Sequence, residues 1–241
     1  MLFLHPLPHD LTAWTYQSAR YATFARTIVV DLPGHGRSPR AAPGITLPDV
    51  AATCWAAADA ETADERIVLV GCSVGAAIAK HMVALRPDRV RALVLTGGGL
   101  YDGAKGILGR HEDAYRASGL THKREHLAAN FSAAFRETEP ARWSIETAMQ
   151  RNASGDVEGT LALLRALEPA DPPGLHDWTV PTLIVCGSLD RSRERQEALH
   201  RRIAGSEFAI VEGAGHSCMI ERPIEYDTHV LRFLRAWGVL H

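Results

Sequence analysis

A serine at position 73 stands where a side-chain hydroxyl can be presented for nucleophilic attack. It is the centre of the pentapeptide G-C-S-V-G at residues 71–75, which follows the apolar run 67–70 and precedes a small-residue stretch compatible with a helix. Glycines two residues on either side permit a sharp strand-to-helix turn, on which the central serine adopts strained backbone geometry and exposes its hydroxyl. The start of the following helix would direct backbone N–H groups towards an oxyanion beside Ser73. The pattern therefore predicts a nucleophilic serine.

An acid and a base follow Ser73 in the chain, each directly after a predicted strand. Asp190 ends the segment 181–190, in which an apolar run leads into a turn with glycine, and His216 ends the similar segment 208–216. Because the carboxyl ends of parallel strands line the binding crevice of open α/β sheets, these side chains are expected to lie there. Histidine takes the proton from a serine hydroxyl, and a carboxylate orients the histidine and stabilises its protonated form. The three residues predict a catalytic triad.

With this order of serine, acid and histidine, the sequence resembles the α/β-hydrolase superfamily over nearly its whole length. Residues 2–7 look like the third strand of that family and its oxyanion loop, and residues 31–38, DLPGHGRS, are similar to the loop after its fourth strand. The serine pentapeptide and the paired endings at Asp190 and His216 are the other two blocks. The resemblance implies the α/β-hydrolase fold, a mostly parallel sheet with helices on both faces.

The resemblance also implies two backbone donors for an oxyanion hole. One N–H follows the nucleophile and corresponds to Val74, and the other lies in the loop after the third strand and corresponds to Leu7. This loop departs from the family because Pro6 replaces the usual glycine, and neither Pro6 nor Pro8 has an N–H to donate. We therefore expect the N–H groups of Leu7 and Val74 to hold the oxyanion.

A second departure concerns the start of the chain. Only one strand precedes the oxyanion loop, whereas the family usually opens with an additional pair, so this N-terminal strand pair is expected to be missing. The strand near residues 27–30 would then lie at an unpaired sheet edge, open to strand addition or to formation of a homodimer. A start codon assigned too late explains the same departure equally well.

The composition is that of a compact enzyme. The 241 residues fit one α/β domain with an insertion, and the 46% hydrophobic residues supply a large core. A formal net charge of -2 offers no basic field for nucleic acid, and no apolar run approaches the ~18 residues of a membrane span. The N-terminus lacks the features of a signal peptide, so a cytoplasmic location is expected. The four cysteines match no metal or disulfide pattern and are expected to be buried.

Apolar segments alternate with helical segments, which favours a parallel sheet covered on both faces. Strands are predicted at 2–5, 27–31, 66–71, 90–96, 181–187 and 207–212, and helices at 11–22, 47–63, 74–85, 191–203 and 223–236.

A long helical insertion interrupts this pattern, with helices predicted near 104–118, 121–137, 140–152 and 155–168. The resemblance implies that such an insertion is a cap that covers the active site and shapes substrate choice. The predicted division is therefore core residues 1–100, a helical cap insertion at 101–177, and core residues 178–241.

Two further residues compete for roles in the triad. Asp102 follows the predicted strand at 90–96, after which some members of the family carry the acid, so it is the alternative to Asp190. His35 precedes the nucleophile, against the order of the family, and a structural role in its turn is expected instead.

His122 and His126 lie four residues apart in the insertion and share one face of a predicted helix, a spacing compatible with metal ligation. The segment 121–126 is mostly charged and polar, and it lacks a third ligand and the glutamate placement of a zinc motif. We therefore expect a solvated helix face and no metal site. Trp143, in the same insertion, is expected to pack in a core.

Together these residues predict a serine hydrolase that cleaves a small-molecule carboxylic ester or lactone through an acyl-serine intermediate, with no cofactor. Carbon–carbon bond hydrolases and hydroxynitrile-type lyases use the same triad on the same scaffold and are the alternative. A hydrolase-fold ligand receptor whose turnover is incidental is a further alternative. The serine at position 73 disfavours family members that use an aspartate nucleophile.

Overall fold

A sheet of six parallel strands forms the centre of the molecule. The fold is taken from a computed structural model that describes residues 1–63, 65–100, 105–151, 157–167 and 171–240. The strand order is β2-β1-β3-β4-β5-β6, and every neighbouring pair is parallel. The strands are β1 (Leu2–Leu4), β2 (Ile28–Val30), β3 (Ile67–Cys72), β4 (Val90–Thr96), β5 (Thr182–Gly187) and β6 (Glu207–Val211). The six strand predictions and the fold class are confirmed.

The strands have nearly continuous apolar sequences because both faces of the sheet are buried. All six residues of β3 and all six of β5 are buried. Alternate residues face opposite ways. Leu69 therefore joins one hydrophobic cluster, whereas its neighbours Val68 and Val70 join a second cluster on the other face.

Helices cover both faces of this sheet. Those of the core are α1 (Thr15–Tyr21), α2 (Leu47–Thr62), α3 (Val74–Leu85), α9 (Arg193–Arg202), α10 (Cys218–Glu221) and α11 (Pro223–Ala236). Residues of α2 and α3 belong to one hydrophobic cluster, and residues of α11 belong to the other. The five helices predicted for the core are present, with the first beginning as a 3-10 turn at Leu11–Trp14.

Among the described residues between β4 and β5, five further helices lie within the predicted insertion. They are α4 (Lys105–Ser118), α5 (Leu120–Ala129), α6 (Ala133–Arg136), α7 (Glu139–Arg151) and α8 (Val157–Ala166). Arg151 at the end of α7 pairs with Asp10 at 2.9 Å and with Asp31 at 3.2 Å, so two ion pairs attach this segment to the loops after β1 and β2. The division into core and cap stays an interpretation of this arrangement.

The single helix predicted at 121–137 is two helices, and that prediction is wrong. The chain leaves α5 after Ala129, and Ser132 begins α6 by accepting a hydrogen bond from the Phe135 N–H at 3.3 Å. Serine is favoured at such a cap because its hydroxyl satisfies an otherwise unpaired backbone N–H. The prediction for Trp143 is also wrong, since its side chain on α7 is 57% exposed.

Strand β2 lies at one edge of the described sheet, as predicted, and β6 lies at the other. A dimer through β2 stays a prediction. Among the described residues, no helix combines the length and apolar character needed to cross a membrane. The four cysteines are buried and free, as expected.

The packing of α3 against β1 generates a prediction about stability. A Cβ atom at Gly75 would overlap the backbone carbonyl oxygen of Leu4, which cannot move away without disturbing the sheet. We expect Gly75→Ala to lower the free energy of unfolding by about 3 kcal/mol, as severe overpacking does, measured by urea denaturation.

Gly109→Ala is the matched control, because an added Cβ at this position on α4 meets nothing within 4 Å. Alanine at a helix interior should leave stability unchanged or raise it by up to ~1 kcal/mol. Equal stabilities of the two variants would contradict the close approach of α3 to β1.

Candidate active site

Ser73 occupies the sharp turn between β3 and α3. Its backbone has φ 55° and ψ -115°, a conformation that is strained for a residue with a side chain. The turn is held because the Ser73 N–H donates a hydrogen bond of 2.8 Å to the Thr96 carbonyl at the end of β4. Ser73 itself is partly exposed, while its neighbours Cys72 and Val74 are buried. The turn therefore presents the side chain of the serine.

Asp190 and His216 meet at the carboxyl ends of β5 and β6, as the sequence predicts. The Nδ1 atom of His216 lies 3.0 Å from Oδ2 and 3.1 Å from Oδ1 of Asp190. The aspartate side chain is 2% exposed and the histidine side chain 18% exposed. A histidine that donates Nδ1–H to this carboxylate has Nε2 available as an acceptor. This is the tautomer that a general base requires.

Two further residues donate hydrogen bonds to the Asp190 carboxylate. Ser192 donates from its backbone N–H at 2.8 Å and from its hydroxyl at 2.9 Å, and Gln196 donates from Nε2 at 2.7 Å. Burial by itself raises the pKa of this carboxyl. The charge and hydrogen bond of His216, with the hydrogen bonds from Ser192, outweigh that effect, so the pKa of Asp190 lies well below its usual range. The carboxylate is charged at neutral pH.

Sequence reasoning missed both Ser192 and Gln196. Ser192 carries a local signal, since a residue two positions after an aspartate commonly donates its N–H to that side chain in a turn. Gln196 carries none in the sequence, and only the fold shows that this buried residue of α9 belongs to the site, through its hydrogen bond to Asp190.

The ring of His216 lies against the glycines that follow β4. A Cβ atom added at Gly97 would stand 2.7 Å from Cε1 of His216 and 3.0 Å from each ring nitrogen, and one added at Gly98 would stand 3.5 Å from the Ser73 carbonyl oxygen. His216 and Ser73 therefore border the same pair of glycines. No hydrogen bond joins their side chains within the described structure, a separation that unliganded sites often show.

The N–H groups of Leu7 and Val74 donate no hydrogen bond to any described residue. Both residues are buried, and unpaired buried N–H groups are rare. Asn130 fixes the loop of Leu7 by donating from Nδ2 to the Leu7 carbonyl at 3.0 Å, and its own carbonyl accepts the Ser217 N–H at 2.9 Å. Asn130, which sequence reasoning missed, thus connects the Leu7 loop to the His216 loop.

The two other predicted residues have different outcomes. Asp102 lies outside the described residues. His35 is structural, as expected, since its ring is buried, contacts the Pro33 carbonyl at 3.1 Å and lies 3.3 Å from the Thr160 hydroxyl. Burial raises the pKa of the Cys72 thiol well above its usual range, which keeps the thiol protonated beside Ser73.

His9 is a further buried residue near the site that carries no sequence signal. Neither of its ring nitrogens has a hydrogen-bond partner among the described residues. Burial, followed by the charges of His5 and Lys123, lowers the pKa of His9 to about 3, so the imidazole is neutral. Its ring centre lies 6.1 Å from that of Phe131.

The expectation that His122 and His126 lie on a solvated helix face is wrong. His122 is only 16% exposed, and His126 is also partly buried, so the pair does not lie on a solvated face. A third histidine, His111 of α4, places a ring nitrogen within 4.8 Å of a ring nitrogen on each of them. Spacing within one helix cannot show a residue that another helix supplies.

The chain is similar to known proteins in sequence and in fold. Residues 1–226 match the sequence model described as "Alpha/beta hydrolase family". The chain is 32% identical over 203 residues to a pimeloyl-[acyl-carrier protein] methyl ester esterase from Neisseria meningitidis serogroup A. The alignment covers 78% of this chain and 61% of the relative, so the chain spans less than two thirds of the relative's length.

Two solved structures superpose closely. An esterase from Thermogutta terrifontis, with malate bound, has a TM-score of 0.84 and 26% identity over 98% of this chain and 89% of its own. The enol-lactonase from Burkholderia xenovorans LB400 has a TM-score of 0.85 over 97% of this chain and 91% of its own. At 22% identity, the lactonase shows the shared fold alone.

The low pKa of Asp190 generates a prediction about acid stability. The pKa of Asp190 is lower in the folded state than in the unfolded state, where it is near 4. The charged carboxylate therefore stabilises the fold above about pH 4. This contribution is lost as the pH falls from about 4 through the folded-state pKa. We expect the free energy of unfolding of wild type to fall more between pH 7 and pH 2.5 than that of Asp190→Asn. The difference should be at least ~1.4 kcal/mol, the equivalent of one pKa unit.

Urea denaturation at each pH measures this difference. Asp113→Asn, which removes an exposed carboxylate on α4, is the control for the loss of one negative charge. Parallel pH profiles for wild type and Asp190→Asn would show that the carboxylate does not have a depressed pKa.

Proposed function

The chain belongs to the alpha/beta hydrolase family, and on that premise we propose that it is a serine hydrolase that cleaves a small-molecule carboxylic ester or lactone. The observation that carries this proposal is the strained turn at Ser73 beside the hydrogen-bonded pair of His216 and Asp190. A hydroxyl presented on such a turn, with an oriented imidazole at the same edge of the sheet, is the arrangement that acyl transfer to serine requires.

In the proposed mechanism, Nε2 of His216 takes the proton of the Ser73 hydroxyl as its oxygen attacks the acyl carbon. The negative charge that develops on the carbonyl oxygen is held by the N–H groups of Leu7 and Val74. The tetrahedral intermediate collapses, His216 returns the proton to the leaving alcohol, and an acyl-serine remains. Water, activated by His216 in the same way, releases the carboxylic acid and restores the serine.

Asp190 orients the imidazole in this proposal and does not accept its proton. Its two oxygens are occupied by His216, Ser192 and Gln196, and its low pKa disfavours protonation. We therefore assign the acid of the proposed triad to Asp190 and not to its alternative, Asp102.

The choice of ester substrates draws on two lines of support. The Neisseria relative is named as a methyl ester esterase and the Thermogutta protein as an esterase. A lactone is a cyclic ester whose cleavage needs the same attack and the same oxyanion donors, so it is included in the proposal on chemical grounds. Opening a lactone gives an acid and an alcohol in one molecule, and the leaving alcohol stays attached to the acyl-serine.

We propose the helical segment at 101–177 as a cap over this site. Asn130 from this segment holds both the Leu7 loop and the residue after His216. Glu221 accepts the Ser132 N–H at 3.0 Å and the Gly215 N–H at 2.8 Å, which joins the start of α6 to the His216 loop. Side chains from this segment are thus the ones that would limit substrate size.

The central prediction is that Ser73→Ala abolishes turnover. Because the three groups act as a unit, kcat for a short-chain ester should fall by on the order of 10⁴ to 10⁶, measured with p-nitrophenyl acetate and with a panel of alkyl esters and lactones. A fluorophosphonate should label wild type at Ser73, as located by peptide mass spectrometry.

Ser118→Ala, at the far end of α4, is the control and should keep wild-type activity and labelling. Wild-type turnover in Ser73→Ala would overturn the serine mechanism. Labelling at Ser73 without hydrolysis of any ester or lactone would leave the nucleophile in place but overturn the substrate class.

A second prediction concerns the loop that carries the Leu7 N–H. Asn130→Asp replaces the Nδ2 donor by a carboxylate oxygen that repels the Leu7 carbonyl, whereas Asn130→Ala only removes the donor. We expect kcat to fall about tenfold in the alanine variant and further in the aspartate variant, with a smaller change in KM, because displacement of an oxyanion donor affects the transition state most. Equal activity of both variants and wild type would separate Asn130 from the proposed oxyanion hole.

A further inference from the structure

Three histidines from two helices of the insertion converge at one point. His111 lies on α4, and His122 and His126 lie one turn apart on α5. Nδ1 of His111 is 3.3 Å from Nε2 of His122. The rings of His111 and His126 stack with their centres 4.3 Å apart. One ring nitrogen from each of the three lies within 4.8 Å of the other two.

The nitrogens that face away from this point contact other polar groups. Nδ1 of His126 is 3.0 Å from the hydroxyl of the buried Tyr115, and Nδ1 of His122 is 3.6 Å from Oε2 of Glu125. Metal-binding histidines usually direct their second nitrogen to a carboxylate, carbonyl or similar acceptor, which fixes the ring and its tautomer. In His126 the contact with Tyr115 leaves Nε2 as the nitrogen for an ion.

We propose that His111, His122 and His126 bind one divalent transition-metal ion of the zinc class. Imidazole nitrogens bind zinc at ~2.0–2.1 Å, and a tetrahedral arrangement then places neighbouring nitrogens ~3.3 Å apart. The separation between His111 and His122 equals this spacing. A rotation that moves the nitrogen of the third imidazole by up to ~1.5 Å would complete a site with three histidine ligands. Water or a small anion would then take the fourth coordination position of the ion.

The three proposed ligands come from two helices, His111 from α4 and the other two from α5. An ion would tie α4 to α5 at this place.

The inference does not depend on the proposed ester chemistry and can be tested without it. Tag-free full-length protein is treated with EDTA, dialysed, and titrated with ZnCl₂ by calorimetry and with CoCl₂ by visible absorption. We expect one equivalent of each metal to bind, with the intense d–d bands of low-coordinate Co²⁺. Zinc should also raise Tm, since a ligand that binds only the folded state stabilises it.

His122→Gln and His126→Gln should each weaken zinc binding by roughly 100-fold and lose both the Co²⁺ bands and the rise in Tm. His176→Gln is the matched control, because this histidine is 64% exposed on the 3-10 turn Leu175–Asp177. It should bind both metals as wild type does. Circular dichroism without metal establishes that each variant is folded.

The inference is overturned if wild type binds no zinc at a zinc concentration of about 0.1 mM. It is also overturned if both glutamine variants bind zinc as tightly as wild type. X-ray absorption at the zinc edge of the wild-type complex provides a test that needs no variant. Three imidazole ligands are expected, and fewer than three would overturn the assignment. Tyr115→Phe, which removes the partner of His126 Nδ1, should weaken binding by about 10-fold.

Discussion

The close approach of α3 to the centre of the sheet is the constraint on which the rest of the structure depends. Residues 71 and 75 must be glycine, because a Cβ atom at either position would overlap backbone atoms of the neighbouring segment. Only with this approach can the chain turn sharply enough to hold Ser73 at φ 55°. The strain at Ser73 is offset by its hydrogen bond to Thr96 and by the buried strands on either side. The partly exposed position of Ser73 thus depends on the buried core.

The loops around Ser73 are fixed by contacts between distant parts of the chain. The His5 ring accepts the Leu32 N–H through Nε2 at 2.9 Å, which joins the loops that follow β1 and β2. Asn130 joins the Leu7 loop to the His216 loop, and Glu221 joins the latter to α6. The helical segment between β4 and β5 is therefore part of the framework that positions the site. Changes in that segment will alter the loops as well as the space above Ser73.

The sequence predicted those features whose physical cause is local. Each strand is an apolar run because it is buried on both faces, and Asp190 and His216 lie where such runs end, so their positions followed from short segments. Features that depend on packing between distant segments were not predictable in this way. His111 meets His122 only because α4 packs against α5, and Trp143 is exposed because nothing described covers that face of α7.

The environment of Asp190 explains why an aspartate buried this deeply can remain charged. Taking a carboxylate out of water is costly unless donors replace the water. Here a backbone N–H, a hydroxyl, an amide and an imidazole all donate to it. These donors stabilise the anion, so in the proposed mechanism proton transfer from His216 to Asp190 would be unfavourable. The proton that His216 would take from Ser73 would then stay on the imidazole, available to a leaving group.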